Sequence, residues 1–374
     1  MQLRIPPELR QITKVVTPIT GIDGAPDVEH HDPSNIVRYR DHYYLWFTEH
    51  LSVHLGNDGF QNTCIKVATS TNGLHWQVKG VALDQGRPDE PDEKGVLTSY
   101  VVPVDDRWYL FHLAVGPDFS DPQQDRRGIW VAEADAPDGP WRKHLHAPIL
   151  WPGEDGEWDE LCCDDPNLFF RDGRWWLYYK GRRRRSHPMD SFIGLATADD
   201  IEGPYIKHPA NPLMTGHAAS MWIHRNGVAA IGGEVDAANH SCVRWSEDGI
   251  HFVEAGLFPN KSTGFYCPEN YNTGPDAGTN NCGVTWGFDV VRDVIPRYIY
   301  RFECSMQVSE EGWSGLEQQQ ESQEGWIWGA RSDSYTPGRW ASRWPHRPET
   351  AATRRSGPRR DAARRRTTGQ MART

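Results

Sequence analysis

Several absences narrow the field. No stretch of the 374-residue chain approaches the roughly 18 consecutive apolar residues of a spanning helix. Residues 1–16 contain no apolar core of a secretory leader. These two absences predict a cytoplasmic protein, or a periplasmic one if the N-terminus is truncated, with no membrane partner. The seven cysteines include the adjacent Cys162-Cys163 and no paired CxxC spacing, so the sequence offers no zinc ribbon and no disulfide framework. The expected state is free, structural thiols, and no spacing demands a metal or other cofactor.

Net positive charge is missing from most of the chain. The formal charge is −11, yet residues 351–374 hold eight Arg and one Asp, which leaves −18 on the rest. An acidic body of this kind excludes nucleic acid as its partner. The Arg-rich end is mixed with Ala, Thr, Gly and Pro and reads as a solvated tail.

What is abundant is aromatic side chain, with 17 Trp, 13 Tyr and 12 Phe, and it recurs in one pattern. A polar cluster and turn lead into a dense aromatic strand at Asp41-His42-Tyr43-Tyr44-Leu45-Trp46-Phe47, Asp106-Arg107-Trp108-Tyr109-Leu110-Phe111 and Gly173-Arg174-Trp175-Trp176-Leu177-Tyr178-Tyr179. A small-residue strand, a Gly turn and an aromatic follow. These turns are Gly73-Leu74-His75-Trp76, Gly139-Pro140-Trp141, Gly203-Pro204-Tyr205 and Gly249-Ile250-His251-Phe252. Four short strands per repeat at a period of tens of residues predict propeller blades. The spacing places blades at about 32–81, 96–150, 163–213, 216–258 and 265–306. The fold class is therefore all-β, a five-bladed β-propeller over residues 29–306. A lead-in covers 1–28, and a disordered or irregular tail covers 307–374, where neither period two nor period 3.6 appears. That tail is expected to be dispensable: a chain ending near residue 306 should melt at about the temperature of the whole.

In a closed ring of blades, function belongs on the axis, where the first strands converge. Aligned by their turns, the blades present His30-His31-Asp32-Pro33-Ser34-Asn35, Leu97-Thr98-Ser99-Tyr100, Cys163-Asp164-Asp165-Pro166-Asn167 and Gly216-His217-Ala218-Ala219 at equivalent places. A lone Asp-Pro commonly caps a strand and opens a turn. Two of them at equivalent positions, each with an Asn close behind, instead point to paired carboxylates facing one pocket. One carboxylate activating water while another group protonates the leaving oxygen is the minimum for cleaving a glycosidic bond. Glu234, in Gly232-Gly233-Glu234, is a further candidate acid. Glu269 is a weaker one, and Arg182 to Arg185 could meet an anionic sugar.

Together, His31-Asp32-Pro33, Cys163-Asp164-Asp165-Pro166-Asn167 with Trp176-Leu177-Tyr178-Tyr179-Lys180-Gly181, and Thr215-Gly216-His217 with Trp222 resemble glycoside hydrolase family 117, a relative of family 43. The likeness spans about residues 28–306. It implies a five-bladed propeller that removes 3,6-anhydro-L-galactose from the non-reducing ends of agar-derived oligosaccharides, an exo-acting, inverting hydrolase. It implies Asp32 as base, Asp165 as the carboxylate that tunes the acid and orients substrate, and His217 as the active-site histidine, with Glu234 the other candidate acid. The substrate contacts expected from the blade alignment and these motifs are His31, Asn35, Thr98, Asp164, Asn167 and Trp222. Two departures stand out. The family has Glu where this chain has Ala218, and the N-terminal extension through which members dimerise is largely missing, so a homodimer is weakly specified. Competing readings are a family 43-like arabinosidase or xylosidase, and a carbohydrate-binding propeller that has lost catalysis.

Overall fold

The computed structural model describes residues 5–22, 25, 27–51, 60–217, 219–235, 240–259, 263–271, 283–291 and 296–308, and the side chains at 233–235 and 240 fall outside that description. All of these residues lie in one compact unit. The chain passes through a 3-10 turn, Pro7–Leu9, and β1 (Lys14–Thr17) into successive antiparallel meanders. The first comprises β2 (Val28–His31), β3 (Ile36–Tyr39), β4 (His42–Leu51), β5 (Thr63–Ser70) and β6 (Gln77–Leu83). The second is β7 (Gly95–Val104), β8 (Arg107–Val115), β9 (Ile129–Ala134) and β10 (Arg142–Lys143). The third is β11 (Cys162–Arg171), β12 (Arg174–Arg182), β13 (Phe192–Ala198) and β14 (Ile206–Lys207), with β15 (Met214–Thr215) also against β13. Then come β16 (Ser220–His224), β17 (Gly227–Val235), β18 (His240–Ser246) and β19 (Val253–Pro259), and finally β20 (Gly264–Phe265), β21 (Gly283–Val291) and β22 (Tyr298–Gln307). Among the described residues, helix is limited to the first 3-10 turn and a second at Pro268–Asn270.

The repeated motifs become repeated turns. Tyr39 opposes His42, Val104 opposes Arg107, Arg171 opposes Arg174 and His224 opposes Gly227, four hairpins with two-residue loops. In each, the first loop residue (Arg40, Asp105, Asp172, Arg225) has φ of 52–53°, the left-handed value whose twist matches that of the paired strands. The Gly turns of the second motif also have positive φ: Gly73, Gly139, Gly203 and Gly249 at 70–91°. A side chain there would be strained, which is why the repeat keeps glycine.

Aromatic side chains of the second strands fill the space between neighbouring meanders. Trp108 meets Tyr39 at 5.2 Å and Trp46 at 6.2 Å between ring centroids. The Tyr178 hydroxyl donates to the Gly249 carbonyl of the next meander, and Trp222 meets Phe265 at 5.2 Å. The circuit returns to its start, because Ile36, Leu45 and Trp76 of the first meander share a buried cluster with Trp286 and Phe288 of the last. This is the arrangement of a β-propeller.

Closure has a feature that the aromatic pattern did not reveal. β1, from the lead-in, pairs antiparallel with β22, Lys14 opposite Cys304 and Thr17 opposite Arg301, as the outer strand of the last sheet. Val15 and Val16 are largely exposed, so β1 carries no alternating apolar signature. Just before it, Glu8 accepts hydrogen bonds from His224 Nε2 at 2.8 Å and Arg225 Nε at 2.8 Å. Burial works against its ionisation, but His224 and Arg225 outweigh this and hold its carboxyl down at about 2. A depressed carboxyl contributes stability above its unfolded value and loses it on acidification. Glu8→Gln is therefore expected to lower stability by roughly 2–3 kcal/mol at pH 7, with the deficit shrinking as pH falls from about 4.5 towards 2. Denaturant melts of both forms across that range measure it. A pH-independent deficit would mean that Glu8 contributes by packing alone. The tail beyond residue 308 lies outside the described residues.

Candidate active site

Three inner strands are interrupted at the same place. The first meander breaks between β2 and β3, and register shifts fall between Leu97 and Tyr100 in β7 and between Asp164 and Asn167 in β11. The residue at each interruption has positive φ: Asp32 at 46°, Thr98 at 52° and Asp165 at 48°. A bulge of this kind bends a strand and re-aims one side chain, and left-handed conformation at three non-glycine residues is the backbone strain found at functional sites. The equivalence inferred from turn counting is thus a shared backbone device.

The three bulges open into one cavity of about 400 Å³, counting its open mouth, lined by Asp32, Asn35, Thr98, Tyr100, Asp165 and Asn167 with Ala219, Ser220 and Thr263 from later meanders. Paired hydrogen bonds tie its walls together. Asn35 donates to the Val101 carbonyl at 2.7 Å and accepts from the Val101 amide at 2.8 Å. Asn167 does the same with Ala219 (2.9 Å) and Met221 (3.0 Å), one meander further on. Asn270 accepts from the Ile223 amide and donates to the Tyr100 hydroxyl. Asn35 and Asn167 therefore line the cavity with their amides engaged by neighbouring backbone, and Asn270 is a third such clamp that sequence reading did not single out.

Charge in the site centres on a residue that the sequence analysis left in the background. Lys180, buried opposite Asp164 in the β11–β12 ladder, pairs with Asp164 at 3.0 Å and Asp165 at 2.7 Å. Asp164 also accepts from the Thr98 hydroxyl at 2.8 Å and the Asp165 amide at 2.8 Å. Burial opposes ionisation of Asp164, but Lys180 and these donors outweigh it and hold its carboxyl below the ordinary range. Asp165 goes the other way. Burial, together with the charges of Asp164 and Asp32, outweighs Lys180 and pushes its carboxyl up to about 6. One cation among three carboxylates leaves one of them poised to hold a proton near neutrality.

Asp32 is the most open of the three, its side chain 36% exposed, and His31 Nδ1 lies 2.7 Å from its Oδ2. Ser99, which also lines the cavity, has a buried Oγ with no hydrogen-bond partner among the described residues. His217 is half-buried, with Nδ1 3.4 Å from Ser191 Oγ, and is not among the cavity-lining residues. Trp222 requires a correction: expected to touch substrate, it is fully buried in a core cluster and its Nε1 donates to His224 Nδ1. An indole without exposed surface cannot meet a sugar. Glu234 lies on β17, but its side chain, like Ala218, is outside the described residues. The six described cysteines are free.

The family model for glycosyl hydrolases family 43 matches residues 27–193, the stretch that carries both Asp-Pro bulges. A family 117 glycoside hydrolase produced by the marine bacterium Zobellia galactanivorans superposes with a TM-score of 0.70 at 26% identity, covering 81% of this chain and 93% of that one. The chain is a glycoside hydrolase related to families 117 and 43. The glycosidase also shares its fold with a family 43 β-xylosidase/α-arabinofuranosidase from a compost metagenome (TM-score 0.55, 15% identity, 78% of this chain and 95% of that). A sucrose-6-phosphate hydrolase from Lactobacillus gasseri matches at a TM-score of 0.52 and 15% identity, over 79% of the glycosidase and 60% of that chain. Comparison with curated proteins finds no match.

Proposed function

We propose that this glycoside hydrolase is a five-bladed, exo-acting enzyme that removes a terminal α-linked sugar of the 3,6-anhydro-L-galactose kind from oligosaccharides by single displacement. The observation that carries the reading is the pair of Asp-Pro bulges, one open carboxylate and one poised to hold a proton, at equivalent positions around one cavity. Asp32 acts as base. Its open side accepts a proton from water while His31 holds the carboxylate in place. Asp165 orients the sugar and tunes the proton donor opposite. The family 43 match over residues 27–193 favours a second reading, an arabinosidase or xylosidase.

Incubation with agar-derived, arabino- and xylo-oligosaccharides separates these readings by the monosaccharide released. Binding without release of any sugar would turn the assignment into a carbohydrate-binding remnant.

For the proton donor we assign His217, at the entrance to the meander that contributes Ala219 and Ser220 to the cavity. An imidazole titrates near neutrality and suits donation to a leaving oxygen. His217→Gln is expected to abolish turnover of natural oligosaccharides while sparing aryl glycosides, whose leaving groups need no proton. Equal loss on both substrates, or the selective pattern in Glu234→Gln instead, would move the acid elsewhere.

A further inference from the structure

Where the second meander meets the third, two arginines lie buried on either side of one cysteine. Arg127, just before β9, bridges in parallel to Cys162, and Arg182, at the end of β12, stands opposite that same Cys162. Of the arginines from 182 to 185 only Arg182 is buried, at 6% exposure, and Arg127 is 3% exposed. The hydrogen bonds of both guanidiniums go to backbone carbonyls. Arg127 donates to Asp125 at 2.6 Å and Pro122 at 3.1 Å, and Arg182 to Ser186 at 3.4 Å and Pro122 at 3.3 Å. Two cations thus converge on one neutral oxygen.

Arginine is almost never this buried unless its charge is paired, yet neither guanidinium is ion-paired with a carboxylate among the described residues. Asp125 feels the charge of Arg127, but its carboxylate is turned onto the Ser120 and Asp121 amides, both at 2.6 Å. Asp164 and Asp190 attract Arg182 only from beyond ion-pair distance, and Asp164 is held by Lys180. Burial, with the charge of Arg127 in addition, holds Arg182 below the ordinary guanidinium range. A third cation joins the same wall. Lys94 Nζ donates to the Phe119 carbonyl at 2.6 Å, and the Phe119 ring underlies the Arg127 guanidinium at 5.3 Å.

A second observation concerns the donors themselves. Arg127 Nε is buried with no hydrogen-bond partner among the described residues, which is costly for a charged donor. Nε and an Nη together form the edge on which a guanidinium grips two oxygens of one oxyanion. The position is also suggestive. Lys180 and Arg182 are two apart on β12 and share a face, so the arginines sit about 7 Å along the strand from the Asp164–Lys180 rung.

We propose that Arg127 and Arg182 form a binding site for an oxyanion of the sulfate or phosphate class, beside the sugar cavity rather than inside it. The anion takes the place of the Pro122 carbonyl between the two forks and supplies the negative charge that the pair lacks. The loop carrying Pro122 shifts to admit it. The source is a free inorganic ion or an ester group on the oligosaccharide; the second rests on the substrate reading above, and the first does not.

The test reads binding to the whole protein, not turnover. Titration calorimetry with sodium sulfate and with sodium phosphate, at an ionic strength held constant with sodium chloride, should show one saturable site per chain. Arg127→Met and Arg182→Met should each weaken it tenfold or more. Arg182→Lys, which keeps the charge and loses the fork, should weaken it too. Arg107→Met, at an exposed arginine paired with Glu133, should leave it unchanged. Melting separates recognition from a merely structural role. In chloride alone, Arg182→Met relieves an uncompensated charge and should melt no lower than the unaltered chain. Millimolar sulfate should raise the unaltered chain by several degrees and leave that variant where it was. The site is overturned by no saturable binding, by unchanged affinity in both methionine variants, by loss in Arg107→Met, or by an Arg182→Met deficit as large in chloride as in sulfate. If Arg127→Met fails to fold, the two Arg182 variants decide. Sulfated and unsulfated oligosaccharides of one sequence then identify the source. Binding of the sulfated form more tightly than inorganic sulfate, lost in Arg182→Met, places the anion on the substrate, and otherwise the ion is inorganic; either result upholds the site. Failure of every oligosaccharide to bind would count against the substrate reading alone.

Discussion

Replacing Asp32 by Asn is expected to reduce hydrolysis by roughly a hundredfold or more with little change in substrate binding. The amide keeps the shape of the carboxylate and the left-handed turn, which Asn tolerates as readily as Asp, so the bulge at φ 46° should survive. What is removed is the only property a base needs, an acceptor that can take a proton from water. Steady-state kinetics give the split: kcat falls and KM holds. Wild-type turnover in Asp32→Asn would remove the base from this position. The opposite pattern, KM rising with kcat intact, would make Asp32 a binding residue.

Loss of Lys180 should be the most damaging single change to stability. Its ammonium is buried and is shared at 3.0 and 2.7 Å by Asp164 and Asp165, with the charge of Asp32 also felt at Asp165. Lys180→Met keeps the stem and deletes the cation, leaving neighbouring carboxylates desolvated and mutually repelling. Breaking a buried pair in this way typically costs about 3–5 kcal/mol. The pH dependence follows in sign. Asp165, already raised to about 6, would be pushed higher still without its partner, so its native state would bind a proton that the unfolded chain releases. The penalty is then greatest above that raised value and falls as pH drops towards the ordinary carboxylate range. Thermal melts at pH 7.5 and pH 5 should show the deficit narrowing at the lower pH. A deficit equal at both would assign the loss to packing of the stem.

Both predictions concern residues whose legibility differed. Asp32 and Asp165 could be found because turn chemistry repeats. Arg40, Asp105 and Asp172 mark hairpins of one geometry, and counting back from them lands on the equivalent bulges at Asp32, Thr98 and Asp165. The aromatic strands and Gly turns likewise announced the meanders, since a side chain at positive φ or a misplaced ring would be penalised locally. Lys180 was hidden because its meaning lies across a ladder, opposite Asp164, and chain position says nothing about what stands opposite. Trp222 misled for a related reason. Tryptophan serves equally well as a sugar platform or as packing, and only its complete burial decides between them. β1 escaped notice because an outer strand with Val15 and Val16 exposed needs no alternating pattern.

That outer strand also dictates an order of events during synthesis. Lys14 leaves the ribosome early, yet its partner Cys304 follows about 290 residues later. At 5–20 residues per second the first segment waits roughly 15–60 s for the strand it must join. No truncated nascent chain can complete the ring, so a polysome population carries unpaired edges open to intermolecular pairing. Contacts of such sequence separation also slow the closing step itself. The two ends meet last, and the join that makes the finished ring durable is the one its biogenesis can least hurry.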